Sequence, residues 1–503
     1  MKFKTFLAGC LGGLLSLNSC TNSPDMTDYA AYVNPFIGTG GHGHTFPGAI
    51  VPHGMISPSP DTRIDGWDAC SGYYYADSTI NGFSHTHLSG TGCCDYGDVL
   101  LMPTVGEQKY LPTGSQSQQM AYASAFSHQN ETAEPGYYSV FLDTYQVKAE
   151  LTASKRAAIH RYTFPESKEA GFILDLDYSL QRQTNKEMEI EVISPTEICG
   201  RKKTMYWAFD QYINFYAKFS KPFTYTLVTD SMALDDGGRL LPTCKALLHF
   251  DTTKDEQVFV KVGISAVDIE GARKNVETEI PDWDFDGIRK DARKAWNETL
   301  SKIDITTNDK NDKTIFYTAL YHTAISPNLF TDVDGRYLGM DLQVHQGDTL
   351  NPMYTIFSLW DTFRALHPLM TIIDPDLNNA FIRSLIKKHQ EGGIFPMWDM
   401  ASNYTGTMIG YHAVPVIVDA YMKGDRNFDI QEAYRACVRA AEYDTTGIKC
   451  PDLVLPHLMP KAKYYKNSIG YVPCDRENES VAKALEYAYD DWCCLLYTSP
   501  SPR

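Results

Sequence analysis

The chain has 503 residues, of which 43% are hydrophobic and 12% aromatic, and its formal net charge at pH 7 is −17. This length exceeds the size at which one hydrophobic core keeps growing, so we expect two domains, and the composition excludes an intrinsically disordered chain. The excess of 62 acidic over 45 basic residues argues against nucleic-acid binding, which requires a basic face.

The first twenty residues are typical of an export signal, with lysines at positions 2 and 4, a short apolar run and then small residues. The apolar run is too short to span a membrane as a helix. The sequence LNSC resembles a bacterial lipobox, which predicts lipid attachment at Cys20, with a plain secretory signal as the alternative. Residues 21–28 would then tether an exported protein to the membrane through its lipid alone, in the bacterial periplasm or at the outer-membrane surface.

Residues 34–103 concentrate glycine, histidine, aspartate and aromatic residues, a composition typical of binding loops on a rigid scaffold. Trp67 places an aromatic plane beside the carboxylate of Asp68. An H-x-H spacing occurs twice, and on an extended segment it points both rings to one face. The four residues concerned are His42, His44, His85 and His87.

Three interpretations of this segment stay open on composition. The histidines could bind a transition metal, since neutral imidazole is a common ligand, although no CxxC or HExxH motif supports this. They could instead satisfy buried backbone groups in a polar loop cluster. The third interpretation is a polyol pocket, in which an aromatic plane covers a sugar face while imidazoles and carboxylates bind hydroxyl groups. The density of all three residue types favours the third.

Five motifs of this segment resemble the opening of glycoside hydrolase family 92. They are NPFIGTGGHGHTFPGA from residue 34, SPDTR from residue 59, GWDACSGYYY from residue 66, GFSHTHLSGTGC from residue 82 and DYGDVLLMP from residue 95. Members of that family are calcium-dependent, inverting, exo-acting α-mannosidases. The resemblance therefore implies a calcium cofactor, mannose-containing glycans as partners and a sugar-binding role for these loops.

After Pro103 the sequence changes to short segments rich in β-branched and aromatic residues, several of which alternate apolar and polar side chains. With the opening loops, this pattern predicts a large antiparallel β-sandwich over residues 28–275. One of the predicted strand segments is the aromatic run 205–219, and one of the turns that break the pattern is at 235–238.

Ten cysteines remain after Cys10 and Cys20, and they are too thinly spread for a dense disulfide framework. Cys70 flanks the histidine-rich loops together with Cys93 and Cys94. In an exported protein this leaves a disulfide from Cys70 to either neighbour open.

The period of hydrophobic residues changes from two to nearly four at Pro281. We expect a helical linker at 276–310, followed at 311–493 by part of an (α/α) toroid, which the family resemblance implies for the catalytic domain. These residues supply roughly half of such a toroid. The clearest helical segments are 284–303, 377–388, 429–443 and 479–493.

The second chemically dense segment is TIFSLWDTFRALHPLM, where an apolar helix begins. Asp361 lies near that start, so a helix cap is the structural alternative to a binding role. The WDTFR motif matches one that lines the mannose pocket in family 92, which implies that Asp361 binds sugar hydroxyls and that Trp360 forms a wall. Trp398 is expected on a loop as a further pocket residue, whereas His412 is interpreted as core.

No catalytic residue is assigned within the chain. After Cys493 the sequence CLLYTSPSPR departs from the resemblance, so residues 494–503 are interpreted as foreign to the fold, with an ordinary disordered C-terminus as the alternative. The resemblance implies that the general acid and base of an inverting enzyme, and most calcium ligands, lie beyond residue 493, so the chain alone is expected to be inactive. Glu486 and Asp490 are interpreted as a solvated helix face.

The candidate sugar-binding residues are Trp67, Asp68, His85, His87, Asp95, Trp360, Asp361, Arg364 and Trp398. Two other functions stay open. The same loops would serve a non-catalytic glycan-binding lipoprotein at the cell surface. With zinc on the four histidines, they would serve a transition-metal hydrolase.

Overall fold

The structure is a computed structural model that describes residues 27–110, 119–229, 232–234 and 240–498. Four predictions lie wholly or partly outside the described residues: the export signal with Cys20, the tether up to residue 26, the turn at 235–238 and the end of the predicted tail at 499–503. Within the described part of the chain, no helix is both long and apolar enough to cross a membrane.

The first half of the chain is built from antiparallel strands. Their bounds are β1 Ser59–Asp61, β2 Thr79–Ile80, β3 Gly82–Ser84, β4 Leu100–Val105, β5 Ser124–Glu134, β6 Tyr137–Leu142, β7 Val147–Ala153, β8 Ala157–Thr163, β9 Ala170–Asp175, β10 Thr184–Ser194, β11 Glu197–Met205, β12 Gln211–Phe219, β13 Thr224–Val228, β14 Met232–Leu234, β15 Leu240–Pro242, β16 Lys245–Phe250 and β17 Gln257–Ser265. Single 3-10 turns lie at Tyr29–Tyr32, Trp67–Ala69 and Leu180–Arg182.

These strands form two large sheets. Among the described residues, one sheet has the order β1-β3-β4-β9-β16-β13 and the other the order β10-β11-β12-β17-β8-β7-β6-β5-β2. Side chains from both sheets meet in one hydrophobic core, where Phe172 of β9 lies edge-on against Tyr162 of β8 with ring centroids 4.9 Å apart. The result is the antiparallel sandwich that the sequence predicts.

The second half is helical, with short strands between some helices. Its helices are α1 Ile269–Glu279, α2 Phe285–Leu300, α3 Lys310–Thr323, α4 Leu359–Thr362, α5 Leu366–Ile373, α6 Pro375–Gly392, α7 Ala413–Met422, α8 Ile430–Ala441, α9 Leu455–Leu458, α10 Lys461–Ile469 and α11 Ser480–Thr498. Its strands are β18 Asn328–Leu329, β19 Arg336–Leu338, β20 Val344–Gln346, β21 Tyr354–Thr355, β22 Phe357–Ser358, β23 Trp398–Met400 and β24 Asn403–Tyr404.

Helices α1 and α2 pack on the outer face of the nine-stranded sheet, so several central strands are covered on both sides. Val276 of α1 and Phe285 of α2 share a buried cluster with Ile159 of β8. Strand β7 is accordingly buried at all but one position, although its sequence VKAELTA alternates apolar and polar residues. Its buried carboxylate, Glu150, therefore accepts hydrogen bonds from the Tyr137 hydroxyl and the Arg161 guanidinium.

The helical half has its own core around α7, which packs against α5, α6, α8 and α11. Five helices, α1 and α2 among them, begin at an aspartate whose carboxylate accepts a hydrogen bond from a backbone N–H of the first turn. These caps are Asp268, Asp284, Asp309, Asp374 and Asp429.

The predicted two-part architecture is confirmed, and two local expectations are wrong. The run 205–219 is not one strand, because β11 ends at Met205 and β12 begins at Gln211. The predicted foreign tail is wrong as far as Thr498, where α11 ends. Tyr497 is buried, stacks on Tyr421 at 4.5 Å and donates its hydroxyl to the Ile430 carbonyl.

Candidate functional site

The glycine-rich loop that carries His42 and His44 lies against the 3-10 turn at Trp67–Ala69. Together they form a group that we call the His42 cluster: His42, His44, Trp67 and Asp68. The Asp68 Oδ1 atom lies 2.8 Å from His42 Nδ1 and 3.9 Å from His44 Nε2. The Trp67 indole meets the His44 ring edge-on at 4.8 Å and is 58% exposed. An exposed aromatic plane and a carboxylate are therefore adjacent at the surface.

Two glycines shape this cluster. A Cβ on Gly43 would lie 2.2 Å from the Gly38 carbonyl oxygen, so the turn between the two histidines requires glycine. A Cβ on Gly92 would lie 2.1 Å from the Trp67 ring, so the indole rests directly on the backbone of the 90–92 loop.

The second H-x-H pair, His85 and His87, is buried inside the protein. The His85 Nδ1 atom lies 2.6 Å from the Val99 carbonyl oxygen, the ring stacks on His160 at 5.0 Å, and burial lowers the pKa of His85 to about 4. The His87 Nδ1 atom lies 2.7 Å from the Ser57 carbonyl oxygen. Both rings are enclosed, which corrects their assignment as sugar ligands and as members of a four-histidine metal site.

Asp95 is also buried and joins two loops. Its Oδ1 accepts from the Ala208 N–H at 3.1 Å and its Oδ2 from the Trp207 N–H at 3.2 Å, while burial raises the pKa of Asp95 to about 6. The Cys93 thiol donates to the same carboxylate at 2.9 Å. Asp95 thus holds the 206–210 turn in place and does not face a ligand.

The structure distinguishes the two possible partners of Cys70. The sulfur atoms of Cys70 and Cys94 lie 2.9 Å apart, and both residues are buried. The Cys93 thiol is directed at Asp95 instead. Cys94 is therefore the neighbour placed to pair with Cys70.

Trp398 lies on β23 and is buried, whereas the sequence placed it on a loop as a pocket residue. It packs edge-on against Trp207 with ring centroids 6.0 Å apart, in a cluster with Cys93 and Ile356. Since Trp207 belongs to the sandwich and Trp398 to the helical half, this aromatic pair is part of the interface between them.

The WDTFR motif spans α4 and forms a second group with α11, the Trp360 cluster: Trp360, Asp361, Arg364, His412 and Glu486. Glu486 Oε1 accepts from Trp360 Nε1 at 3.1 Å and from Arg364 Nη2 at 2.9 Å. Asp361 is exposed and accepts from the Ser358 hydroxyl at 2.8 Å rather than from a backbone N–H. The helix-cap alternative for Asp361 is therefore wrong.

His412 is enclosed, as expected, but its ring nitrogens face two carboxylates of α11. The Nδ1 atom lies 2.9 Å from Asp490 Oδ1 and the Nε2 atom 3.3 Å from Glu486 Oε2. Asp490 is buried, which raises its pKa above the usual range. The expectation of a solvated face at Glu486 and Asp490 is wrong.

The sequence holds a signal for this buried aspartate. Tyr487 and Tyr497 are buried, Cys494 is half-buried, and Asp490 falls between them at the alternating spacing of four and three residues that marks a packed helix seam. A carboxylate at such a position requires a buried partner, and here His412 and the Tyr411 N–H supply it.

A run of contacts crosses the interface and connects the two clusters. Trp67 rests on Gly92, whose neighbour Cys93 packs in the cluster that contains Trp398. Trp398 pairs with Ser358 across β23 and β22, and Ser358 donates to Asp361. Exposed aromatic and charged groups therefore stand at both ends of one connected set of residues.

Comparison with known families identifies both halves of the chain. Residues 32–265 match the glycosyl hydrolase family 92 N-terminal domain, and residues 271–498 match the glycosyl hydrolase family 92 catalytic domain. The chain belongs to glycosyl hydrolase family 92.

Two solved structures from Bacteroides thetaiotaomicron are similar to this family 92 chain. A family GH92 alpha-mannosidase is 37% identical with a TM-score of 0.83, and the match covers 93% of this chain and 62% of that one. A family GH92 inverting mannosidase is 30% identical with a TM-score of 0.80, again over 93% of this chain and 62% of that one.

A curated relative, an uncharacterized secreted glycosidase of Arthroderma benhamiae, is 25% identical over 93% of this chain and 59% of its own length. This family 92 chain thus spans about three fifths of the length of the relatives that it matches. Its accessible indole, carboxylates and guanidinium are groups that bind a polyol by stacking and hydrogen bonding.

Proposed function

We propose that this chain supplies the sugar-binding region of a family 92 α-mannosidase, an enzyme that hydrolyses terminal α-mannosides with inversion of configuration. The observation that supports this most is the connection of the His42 and Trp360 clusters across the interface between the halves. A structure of the similar alpha-mannosidase contains mannoimidazole, which supports a mannose-type ligand.

The accessible residues have distinct roles in this proposal. The exposed Trp67 indole stacks on a sugar face, and the Asp361 carboxylate accepts hydrogen bonds from sugar hydroxyl groups. Arg364 donates to Glu486 and its guanidinium lies 4.9 Å from the Trp360 ring, so it fixes that wall while remaining exposed. Buried residues such as Asp95 and Trp398 position these groups without touching the sugar.

The family resemblance implies calcium, and the one compact group of His, Cys, Asp and Glu side chains found among the described residues does not suit that ion. Within the described chain, one group of three His, Cys, Asp or Glu side chains offers ligand atoms within 4.8 Å of one another: His42, His44 and Asp68. Calcium takes six to eight oxygen ligands, whereas two of these three groups are imidazoles.

We also propose that the protein is exported and held at the membrane by a lipid on Cys20. The lysines and short apolar run of the first twenty residues support export. The printed name of the Arthroderma benhamiae relative, a secreted glycosidase, is consistent with it. Mass spectrometry of the membrane fraction after expression in a bacterium tests this, with Cys20→Ser as the variant that should remain unlipidated.

Calorimetry with mannose and with α-mannobiose tests the sugar site. Asp361→Ala should weaken binding by about tenfold or more, because a hydrogen bond to a charged group contributes roughly 1.5–3 kcal/mol. Gly92→Ala should weaken it as Trp67→Ala does, since the added methyl displaces the indole. Gly40→Ala is the matched control, because its Cβ would meet only Tyr75 at 4.0 Å.

Release of mannose from α-mannobiose separates the hydrolase from its alternative. An inverting mannosidase is supported if mannose is released, if Trp360→Ala and Asp361→Ala each abolish that release, and if NMR shows β-mannose as the first product. Binding without release fits both functions, because no general acid or base is assigned within this chain, so release of mannose is the result that decides for the hydrolase. Equal affinity for mannose in wild type, Trp67→Ala and Asp361→Ala would overturn the sugar site itself.

A further inference from the structure

We propose that His42, His44 and Asp68 form a binding site for a divalent transition-metal ion of the zinc class. The inference goes beyond the proposed sugar-binding function and does not depend on it. It concerns the glycine-rich loop and the turn at Trp67–Ala69, whose side chains meet at the surface of the sandwich.

The His44 side chain is the main reason for the assignment. It is 6% exposed, and its Nε2 atom is enclosed without a hydrogen-bond partner among the described residues. A buried ring nitrogen without a partner is costly, so it points to a group that the described residues do not supply. The nitrogen is aimed at Asp68, whose nearest oxygen lies 3.9 Å away, too far for a hydrogen bond.

The spacing of the ligand atoms suits a small ion with four ligands. Zinc binds imidazole nitrogen at about 2.0–2.1 Å, so two ligands at a tetrahedral angle lie ~3.3 Å apart. Asp68 Oδ1 lies 2.8 Å from His42 Nδ1 and 3.9 Å from His44 Nε2, and these distances bracket that value. His42 is 75% exposed on its side chain, so its ring is free to make the small adjustment.

The surroundings fix two of the ligands before the ion binds. The Trp67 indole holds the His44 ring edge-on at 4.8 Å, and Asp68 is carried by the same 3-10 turn as Trp67. The exposed side at His42 leaves a fourth position for water, as in open zinc sites.

The ligand set selects a class of ion. Two imidazoles and one carboxylate favour zinc, cobalt, nickel or copper over calcium and magnesium, which prefer oxygen ligands. The ion would cross-link the glycine-rich loop to the Trp67 turn, and so it would hold the indole in place. It would be a second metal site, separate from any calcium that the family resemblance implies.

Calorimetry of the purified, chelator-treated protein with zinc chloride tests the site directly. We expect one zinc ion per chain, undiminished by excess calcium chloride, and cobalt should give the visible absorption of a four-coordinate ion. His42→Ala and Asp68→Asn should each weaken zinc binding by at least about tenfold, since even supporting residues of metal sites contribute that much.

His345→Ala is the matched control, because His345 forms a similar surface pair with Asp341 at 2.9 Å but lacks a second imidazole. This variant should bind zinc as the wild type does. Circular dichroism confirms that each variant is folded, and His42→Ala removes only an exposed ring. Absence of stoichiometric zinc binding, equal affinity in His42→Ala, or displacement of zinc by calcium would overturn the proposal, whether or not the chain binds mannose.

Discussion

Lys463 shows how burial changes the chemistry of a single residue. It lies in the first turn of α10, is 1% exposed, and donates from Nζ to the Ala440 carbonyl at 2.8 Å. Burial lowers the pKa of Lys463 to about 7, although charges of both signs are nearby. Those charged neighbours are Asp490, Asp491, Lys466 and Arg439.

This pKa predicts a pH-dependent stability with a definite sign. Below about pH 7 both folded and unfolded chains hold the proton, and the cost of burying the charge is complete. Between about pH 7 and 10 the unfolded chain binds more protons, so stability should rise with pH. Lys463→Met should remove this rise and stabilise the protein at pH 6 by about 1–3 kcal/mol.

Urea unfolding at a series of pH values measures the effect, with Lys461→Met as the control because Lys461 is exposed on the same helix. The control should follow the wild-type curve. A Lys463→Met variant that is less stable than the wild type at pH 6 would show that the hydrogen bond to Ala440 outweighs the cost of burying the amine.

The residue types in the sequence were sufficient to find the chemically dense segments. They did not determine which side chains in those segments are buried. His42 and His85 share the same H-x-H spacing, yet one is exposed on a loop and the other follows β3 into the sandwich core. The spacing of Asp490 to Glu486 predicts a solvated face, whereas its spacing to Tyr487, Cys494 and Tyr497 marks a packed seam. Its partner His412 lies 78 residues earlier in the chain, and a contact of that kind depends on tertiary packing, which local patterns do not encode.

At the scale of elements, buried ion pairs fasten helices to the short strands of the helical half. Lys388 of α6 lies 3.1 Å from Asp399 of β23, and the two side chains are 1% and 0% exposed. Asp399 also accepts from the Thr355 hydroxyl at 2.8 Å. This pair anchors the strand that carries Trp398 and lies beside the Trp360 cluster.

Lys388→Ala should destabilise the protein by about 3–5 kcal/mol, because it leaves the Asp399 charge buried without its partner. Lys387→Ala is the matched control, since the adjacent lysine is exposed, and its effect should stay within about 0.5 kcal/mol. Thermal unfolding measures both. If Lys388→Met together with Asp399→Asn does not recover part of the loss, the unpaired charge is not its cause.

Helix and strand existence was predictable because local signals agree with the tertiary structure. Asp284 precedes an apolar repeat and caps α2, and Gly393 ends α6 in a left-handed conformation. The run 205–219 was not predictable in this way, because its aromatic residues serve two strands and a turn. That turn is held from outside, with Asp210 N donating to Asn403 Oδ1 at 2.9 Å.

At the scale of the whole molecule, the two halves are joined at more than one place. Trp207 and Trp398 pack together at one of them, and hydrogen bonds join the halves elsewhere. Among these, Trp296 Nε1 donates to the Ile50 carbonyl and the His53 N–H to the Ala324 carbonyl. Chain length and the change of hydrophobic period at Pro281 allowed two domains to be predicted, but composition could not show which side chains join them.

Trp398→Ala should therefore weaken the molecule at this join. Loss of a buried tryptophan costs about 3–5 kcal/mol, and the cavity falls between the halves rather than inside either core. We expect hydrogen exchange to accelerate first in peptides of the helical half, whose core is separate from that of the sandwich. Trp492→Ala is the control, because that side chain is 53% exposed and should change stability little. In the opposite outcome, both halves of Trp398→Ala lose their protection from hydrogen exchange together at one lower temperature. The remaining hydrogen bonds would then be enough to couple the halves, and the aromatic pair would not be the reason that the molecule unfolds as a unit.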